Sequence, residues 1–296
     1  MNGREAGFLL LTSHLGDPER KVMTVAQFRL LAQCVRASQI PERDGELTAR
    51  ELMAMGYNRP SAERILELLG QTEQLNCYLS EGALYGCYPI TRVSSGYPGP
   101  VHKRLGLDAP GCLWAKGDQS LLSTPTLSLV GSRDLLLPNQ RFAEEVGKQA
   151  ALQGITLVSG NARGADRVAQ EACLAQGGSV ICVVADSLSR HTPKERVLYI
   201  SEDAYDAAFT AQRAHSRNRV IHALGYGVLV AQSSLGKGGT WHGTMDNLRN
   251  QLSPVRIFAD GSEAARQLMA QGALPATLEE LQDLPTLFHI TSLFDR

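Results

Sequence analysis

The chain has 296 residues, 43% of them hydrophobic, and a formal net charge of -1. This length and composition support a packed core in one large domain or two modest ones and exclude extended disorder. A near-neutral total supplies no global basic field, so any site for a polyanion has to be built locally. The six cysteines form no CxxC pair and have no histidine at zinc-like spacing. They read as small buried hydrophobes of a reducing compartment, with no metal site and no cofactor expected. There is no basic-apolar leader and no apolar run long enough to span a bilayer, so the expected location is the cytoplasm, away from any membrane.

Residues 1–84 read as a helical N-terminal domain. Thr24 is placed to cap a helix that carries Val25, Phe28, Leu31, Ala32 and Val35 at helical spacing. Thr48 opens another, with Glu51 three positions on in a capping-box pattern, and this helix ends at Gly56. Arg59-Pro60-Ser61 starts a third, with Ile65, Leu68 and Leu69 on its apolar face. Residues 85–125 are transitional, with Leu113-Trp114-Ala115 expected as an edge strand and Gly117-Asp118 as a turn.

Continuous apolar strands at 126–130, 155–159, 179–184, 227–231 and 255–259 then alternate with helical patterns, one of them over 140–153. That alternation implies an α/β fold, a Rossmann-like, mostly parallel sheet with helices on both faces, over residues 85–260. Residues 261–296 are expected to be a short helical C-terminal extension, with helices near 262–271 and 277–284. Its apolar tail, Leu287-Phe288-His289-Ile290, would dock back onto the domain.

Four elements could carry chemistry. Gly131-Ser132-Arg133 ends the first strand, and Ser159-Gly160-Asn161-Ala162-Arg163-Gly164-Ala165-Asp166 follows the second. Loops at strand carboxyl ends are where open α/β sheets bind ligands, and glycine lets the backbone come close to an anion. Arg163 can pair with a phosphate in bidentate fashion, and Asp166 is expected to cap the next helix and orient Arg163. Arg217-Asn218-Arg219 opens a helix and, taken as a group, suits a phosphate backbone; a solvated helix face is the plain alternative for each arginine. Lys237-Gly238-Gly239-Thr240 leads into a further helix and would offer a cation, backbone amides and a hydroxyl. Trp241 reads as a base-stacking platform or, equally, as a buried anchor. No GxGxxG or GxxxxGK[ST] pattern occurs, which removes the ordinary dinucleotide and P-loop readings. The seven histidines are dispersed and form no catalytic arrangement.

In this order the elements resemble the DNA-processing protein A family (DprA, also called Smf). The resemblance is carried by Gly96-Tyr97-Pro98, Leu113-Trp114-Ala115-Lys116-Gly117-Asp118 and Leu129-Val130-Gly131-Ser132-Arg133. It continues through Val158 to Asp166, Ser201-Glu202 and Arg217-Asn218-Arg219-Val220-Ile221. The family implies a Rossmann-like core that binds single-stranded DNA without turnover, dimerises, and assists RecA loading in DNA uptake, transformation or recombination. By motif match, Arg133, Arg163, Arg217 and Arg219 would be the pocket cations, and Gly131, Ser132, Ser159 and Gly160 its lining. The segment between Ser201-Glu202 and Arg217 lacks the family's usual proline and glycine, and GKGGTWHGTMDN replaces the usual small-residue run. A divergent member without the C-terminal winged helix is expected. Gly-Asn-Ala-Arg-Gly-Ala-Asp also resembles the LOG-related Rossmann-like group, which gives the alternative of a nucleotide-signal sensor, with defence as one setting for it. Gly238-Gly239-Thr240 has no glutamate at the place the LOG hydrolases carry one, which leaves a phosphoribohydrolase as the least favoured reading.

Overall fold

The computed structural model describes residues 1–38, 47–202 and 204–288. Its centre is a sheet of nine strands: β1 (Tyr88–Thr91), β2 (Cys112–Gly117), β3 (Thr126–Val130), β4 (Thr156–Ser159), β5 (Val180–Val184), β6 (Val197–Glu202), β7 (Val228–Val230), β8 (Val255–Phe258) and β9 (Leu274–Ala276). Their order is β1-β2-β6-β5-β4-β3-β7-β8-β9. The two pairings of β2 are antiparallel and the remaining pairings are parallel. Every residue of β3, β4 and β5 is buried, as parallel strands covered on both faces require.

Helices cover both faces: α1 (Gly3–Thr12), α2 (Val25–Ala37), α3 (Ala49–Ala54), α4 (Arg59–Leu69), α5 (Thr72–Leu84), α6 (Gly99–Leu105), α7 (Leu137–Leu152), α8 (Ala165–Ala175), α9 (Ala211–Leu224), α10 (Gly238–Asn250), α11 (Glu263–Ala270) and α12 (Leu284–Leu287). Successive side chains of a strand point to opposite faces, and the two apolar clusters divide accordingly. Leu127, Leu129, Leu157, Val180 and Cys182 pack with Phe142 and Val146 of α7 and with Ala169 of α8. Val130, Val158, Ile181 and Val183 pack on the other side with Val220, Ile221 and Leu224 of α9 and with Met245 of α10. Phe8 and Leu9 of α1 and Leu75 and Tyr78 of α5 belong to the first cluster, whereas Leu31, Leu52, Ile65 and Leu68 form a small cluster of their own.

Several local expectations hold for the physical reasons given. Thr24 and Gln27 form a reciprocal cap on α2, and Thr48 and Glu51 do so on α3, each such cap contributing about 1 kcal/mol. Other elements differ. The strand containing Leu113, Trp114 and Ala115 is not an edge: it lies between β1 and β6 with all three side chains fully buried. The edge is β1, where Pro89 fits because an edge strand need not donate at every position. Strands β1, β6 and β9 and helices α1 and α5 add to the elements expected individually. The helix expected at 277–284 is a 3₁₀ turn over Glu280–Asp283 followed by α12. Leu287 and Phe288 are buried in the first cluster; His289 and Ile290 lie outside the described residues. No helix among the described residues is long and apolar enough to cross a membrane.

Candidate functional site

Strand β3 is flanked by β4 on one side and β7 on the other, so the chain leaves β3 towards one edge and later returns to build the other half. The carboxyl ends of β3 and β7 therefore part around a crevice, the position where open α/β sheets take ligands. A cleft of about 550 Å³ lies there. It is lined by Gly131 to Asp134 after β3, Ala162 and Asp166 after β4, Ser234 and Lys237 to Thr240 after β7, and one face of α9. Two buried hydroxyls of β3 hold α9 in place: Ser128 Oγ donates to the Ile221 carbonyl (2.6 Å) and Thr126 Oγ1 to the Leu224 carbonyl (2.7 Å).

The loops brace one another. The Ser132 amide donates to the Gln232 carbonyl (3.0 Å), and the Ala165 amide donates to the Ser132 carbonyl (3.2 Å). Gly164, with φ +87°, sits so close that a Cβ there would meet the Ser132 and Arg133 carbonyls at 2.4 and 2.5 Å. A glycine is needed both for the conformation and for the approach. Thr240 Oγ1 donates to the Gly131 carbonyl (3.0 Å), joining the β7 loop to the β3 loop. Within this frame Arg133 and Lys237 are exposed and have no ion-pair partner among the described residues. Lys237 is the cap residue of helix α10 and provides no side-chain cap, so the first turn of α10 at Gly238, Gly239 and Thr240 lines the cleft with the positive end of the helix dipole.

The third arginine of the expected set, Arg217, is used differently. Arg217 lies in the middle of α9, whose cap is Thr210, and not at a helix opening. Its Nη1 donates to the carbonyls of Gly160 and Val183, the latter at 2.6 Å, and its Nε is buried. A Cβ on Gly160 would fall against this guanidinium, so the loop can close over Arg217 only with glycine there. Asp166 is the neighbouring charge. It is buried, and its Oδ2 accepts from the amides of Gly160 (3.0 Å) and Ala162 (3.2 Å). It thus reaches back into the β4 loop, whereas capping of α8 and orientation of Arg163 were expected; the cap position is Gly164. Burial pushes the Asp166 carboxyl up to about 6, opposed by Arg217 and by the two amides. The same burial lowers the Arg217 pKa, and Asp166 opposes that in turn.

Of the remaining expected residues, Asn218 lines the cleft and donates to the Gly239 carbonyl (3.3 Å). Ser159 is fully buried and accepts from Gln170, and Gly160 is braced as described, so both support the cleft from behind. Arg163 stands exposed at its rim, paired with Asp134 (2.7 Å). Arg219 points away from the cleft and pairs with Asp108 (3.3 Å) and Asp246 (3.1 Å). Trp241 is partly buried against the second apolar cluster, which makes it an anchor of α10. Phe209 and His215, neither of them singled out from the sequence, also line the cleft. His222 lies at its base, fully buried beside Asn247 (2.9 Å), and burial lowers its pKa to about 4.

Three comparisons bear on this geometry. The family model for DNA recombination-mediator protein A matches residues 89–286. The Smf protein of Escherichia coli (strain K12) is 31% identical over 268 residues, 84% of this chain and 70% of that protein. The DNA processing protein DprA of Streptococcus pneumoniae (strain ATCC BAA-255 / R6) is 31% identical over 179 residues, 56% of this chain and 63% of that protein. The X-ray structure of the pneumococcal protein superposes with a TM-score of 0.64 at 22% identity, covering 87% of this chain and 96% of that one. DNA processing protein A of Helicobacter pylori, known for a single-stranded DNA binding mode, gives a TM-score of 0.58 at 22% identity, over 70% of this chain and 97% of that one. At these identities the structural likeness shows a common fold.

Proposed function

Because the chain belongs to the DNA recombination-mediator protein A family, a family of mediators rather than catalysts, we propose that its cleft binds single-stranded DNA by the phosphates. The observation that supports this most is that Arg133 and Lys237, which have no ion-pair partner among the described residues, line one cleft together with the uncapped start of α10. Arg133 and Lys237 neutralise phosphates, while the amides of Gly238 and Gly239 and the second N–H of the Asn218 side-chain amide supply neutral donors. Arg217 keeps the loops in place from below. Arg163 and Arg219 act from the rim and from outside, reaching a strand only by exchanging their carboxylate partners. The same reading places the protein in DNA uptake, transformation or recombination, as a homodimer with RecA as its partner, in the cytoplasm.

The test is the binding of a fluorescent oligo-dT across a salt titration. For single strands the slope of log affinity against log salt is about -0.7 per phosphate neutralised. Arg133→Ala is expected to weaken binding and to make that slope shallower by about 0.7. A slope and affinity unchanged by this substitution would remove the cleft from the interface. The cleft volume of about 550 Å³ also suits a small ligand, which keeps a nucleotide-signal sensor as the second reading. A melting temperature raised by nucleotides, with no oligonucleotide binding, would replace the first reading with the second.

A further inference from the structure

Helices α9 and α10 lie side by side along one wall of the cleft, and their facing side chains form rungs. Arg219 meets Asp246 at 3.1 Å, and His222 meets Asn247 at 2.9 Å. One turn nearer the mouth, Asn218 reaches the Gly239 carbonyl at 3.3 Å. His215 is four residues before Arg219, and His242 is four residues before Asp246, so both histidines fall on the rung above the ion pair. Their ring centroids are 5.9 Å apart. Both are exposed, and His215 lines the cleft.

The orientation of His242 is set by its helix. Its Nδ1 lies 2.8 Å from the Gly238 carbonyl. A carbonyl can only accept, so Nδ1 carries the proton in the neutral ring and Nε2 keeps its lone pair. This is the arrangement by which metal-ligating histidines are held: one nitrogen donates to a carbonyl while the other faces the ion. Two imidazoles on one tetrahedral zinc, with Zn–N of about 2.0 Å, hold their centroids about 5 Å apart, within a small rotamer adjustment of the observed separation.

We propose that His215 and His242 form a two-imidazole site for a borderline divalent cation of the Zn²⁺ class at the mouth of the cleft. Among the described residues no group of three or more ligating side chains surrounds such a position, so the protein supplies two ligands and the rest of the coordination sphere stays open. Asp246, one turn below His242, is held by Arg219 and does not complete the sphere. A cation bound there would add positive charge to the cleft that Arg133 and Lys237 already line, and its open positions could accept water or an anionic oxygen. The site stands on the geometry of α9 and α10 and does not depend on the nature of the cleft's ligand.

The test is calorimetric titration of the full chain with zinc chloride in the absence of nucleic acid. Cys34 and Cys77, the free thiols that are not buried, are replaced by serine so that they do not compete. One equivalent of zinc should bind, weakened roughly tenfold or more by either His215→Ala or His242→Ala. Cobalt in place of zinc should give visible absorption that disappears with the double variant. Circular dichroism checks that the variants remain folded. Binding that persists unchanged in the folded double variant, or no binding by the parent chain at millimolar zinc, would overturn the proposal.

Discussion

Two short basic stretches, Gly131-Ser132-Arg133 and Arg217-Asn218-Arg219, read alike in the sequence and are put to opposite uses. In the first, the arginine side chain is exposed at the cleft with no ion-pair partner among the described residues, on a backbone braced from three sides. In the second, each arginine is taken up by the protein itself. Arg217 goes down to the carbonyls of Gly160 and Val183, and Arg219 goes outward to Asp108 and Asp246. The difference follows from backbone geometry. A loop at a strand end can present its side chains to one ligand, but a helix turns about 100° per residue, so positions two apart face nearly opposite ways. A free arginine can bind an anion. One that already satisfies buried acceptors holds the site in shape.

The sharpest way to break this contrast is to delete each arginine and read stability and binding separately. Arg217→Ala leaves the Gly160 and Val183 carbonyls without this donor and the buried Asp166, still held by two amides, without its main opposing charge, and should cost about 3–4 kcal/mol of unfolding free energy in a urea titration. Oligonucleotide binding would fall as a consequence of the disturbed loops. Arg133→Ala should change stability by no more than about 0.5 kcal/mol while weakening binding. Equal stability of the two variants would show that Arg217 is not a brace.

The two buried titratable groups sharpen the same point by their pH dependence. Asp166, raised from 3.8 to about 6, binds a proton more readily in the folded than in the unfolded chain. Its contribution to stability therefore falls as pH rises through that window. His222, lowered from 6.5 to about 4, is protonated first in the unfolded chain, so its contribution falls as pH drops through its own window. The two largely cancel between pH 4 and 6, each amounting to a few kcal/mol at most. Unfolding titrations should therefore separate them. His222→Gln is expected to leave a chain that gains stability on acidification from pH 6 to 4, and Asp166→Asn one that loses it. Variants that both track the parent would show that neither group titrates in this range. A smaller effect, about 2 kcal/mol, is expected for Gly164→Ala, where the added methyl meets strand-end carbonyls at positive φ.

The sheet centre was legible because β3, β4 and β5 are short apolar runs followed by small residues, and the loops after the first two line the cleft. The edges were less so. Burial of Trp114 depends on β1 and β6 pairing with β2 from distant parts of the chain, which no local pattern announces. The α9 run was misplaced, since Thr210 caps the helix and Arg217-Asn218-Arg219 lies in its interior. Read from Thr210, helical phase alone separates Arg217 from Arg219. What could not be read is the Asp166 network, because its donors at Gly160 and Ala162 and its partner Arg217 meet only once three strands have been assembled.

Arg163 is the intermediate case between the free and the committed arginine, and it carries the smallest expected effect. Its pair with Asp134 joins two exposed side chains, 73% and 87% accessible, so Arg163→Ala should change stability by no more than about 0.5 kcal/mol. Its influence on a bound strand runs through Asp134, which lines the cleft. Removing Arg163 leaves that carboxylate unopposed beside the phosphates, and Asp134→Asn releases Arg163 towards them. The first variant should weaken oligonucleotide binding and the second strengthen it, each by about 0.2–1 kcal/mol and mainly at low salt. If the pair acts as a unit, Arg163→Ala should change binding by different amounts in the presence and absence of Asp134, a coupling that a double-mutant cycle measures directly. Strict additivity would mean that Arg163 meets the strand independently of Asp134, which would move it to the side of Arg133.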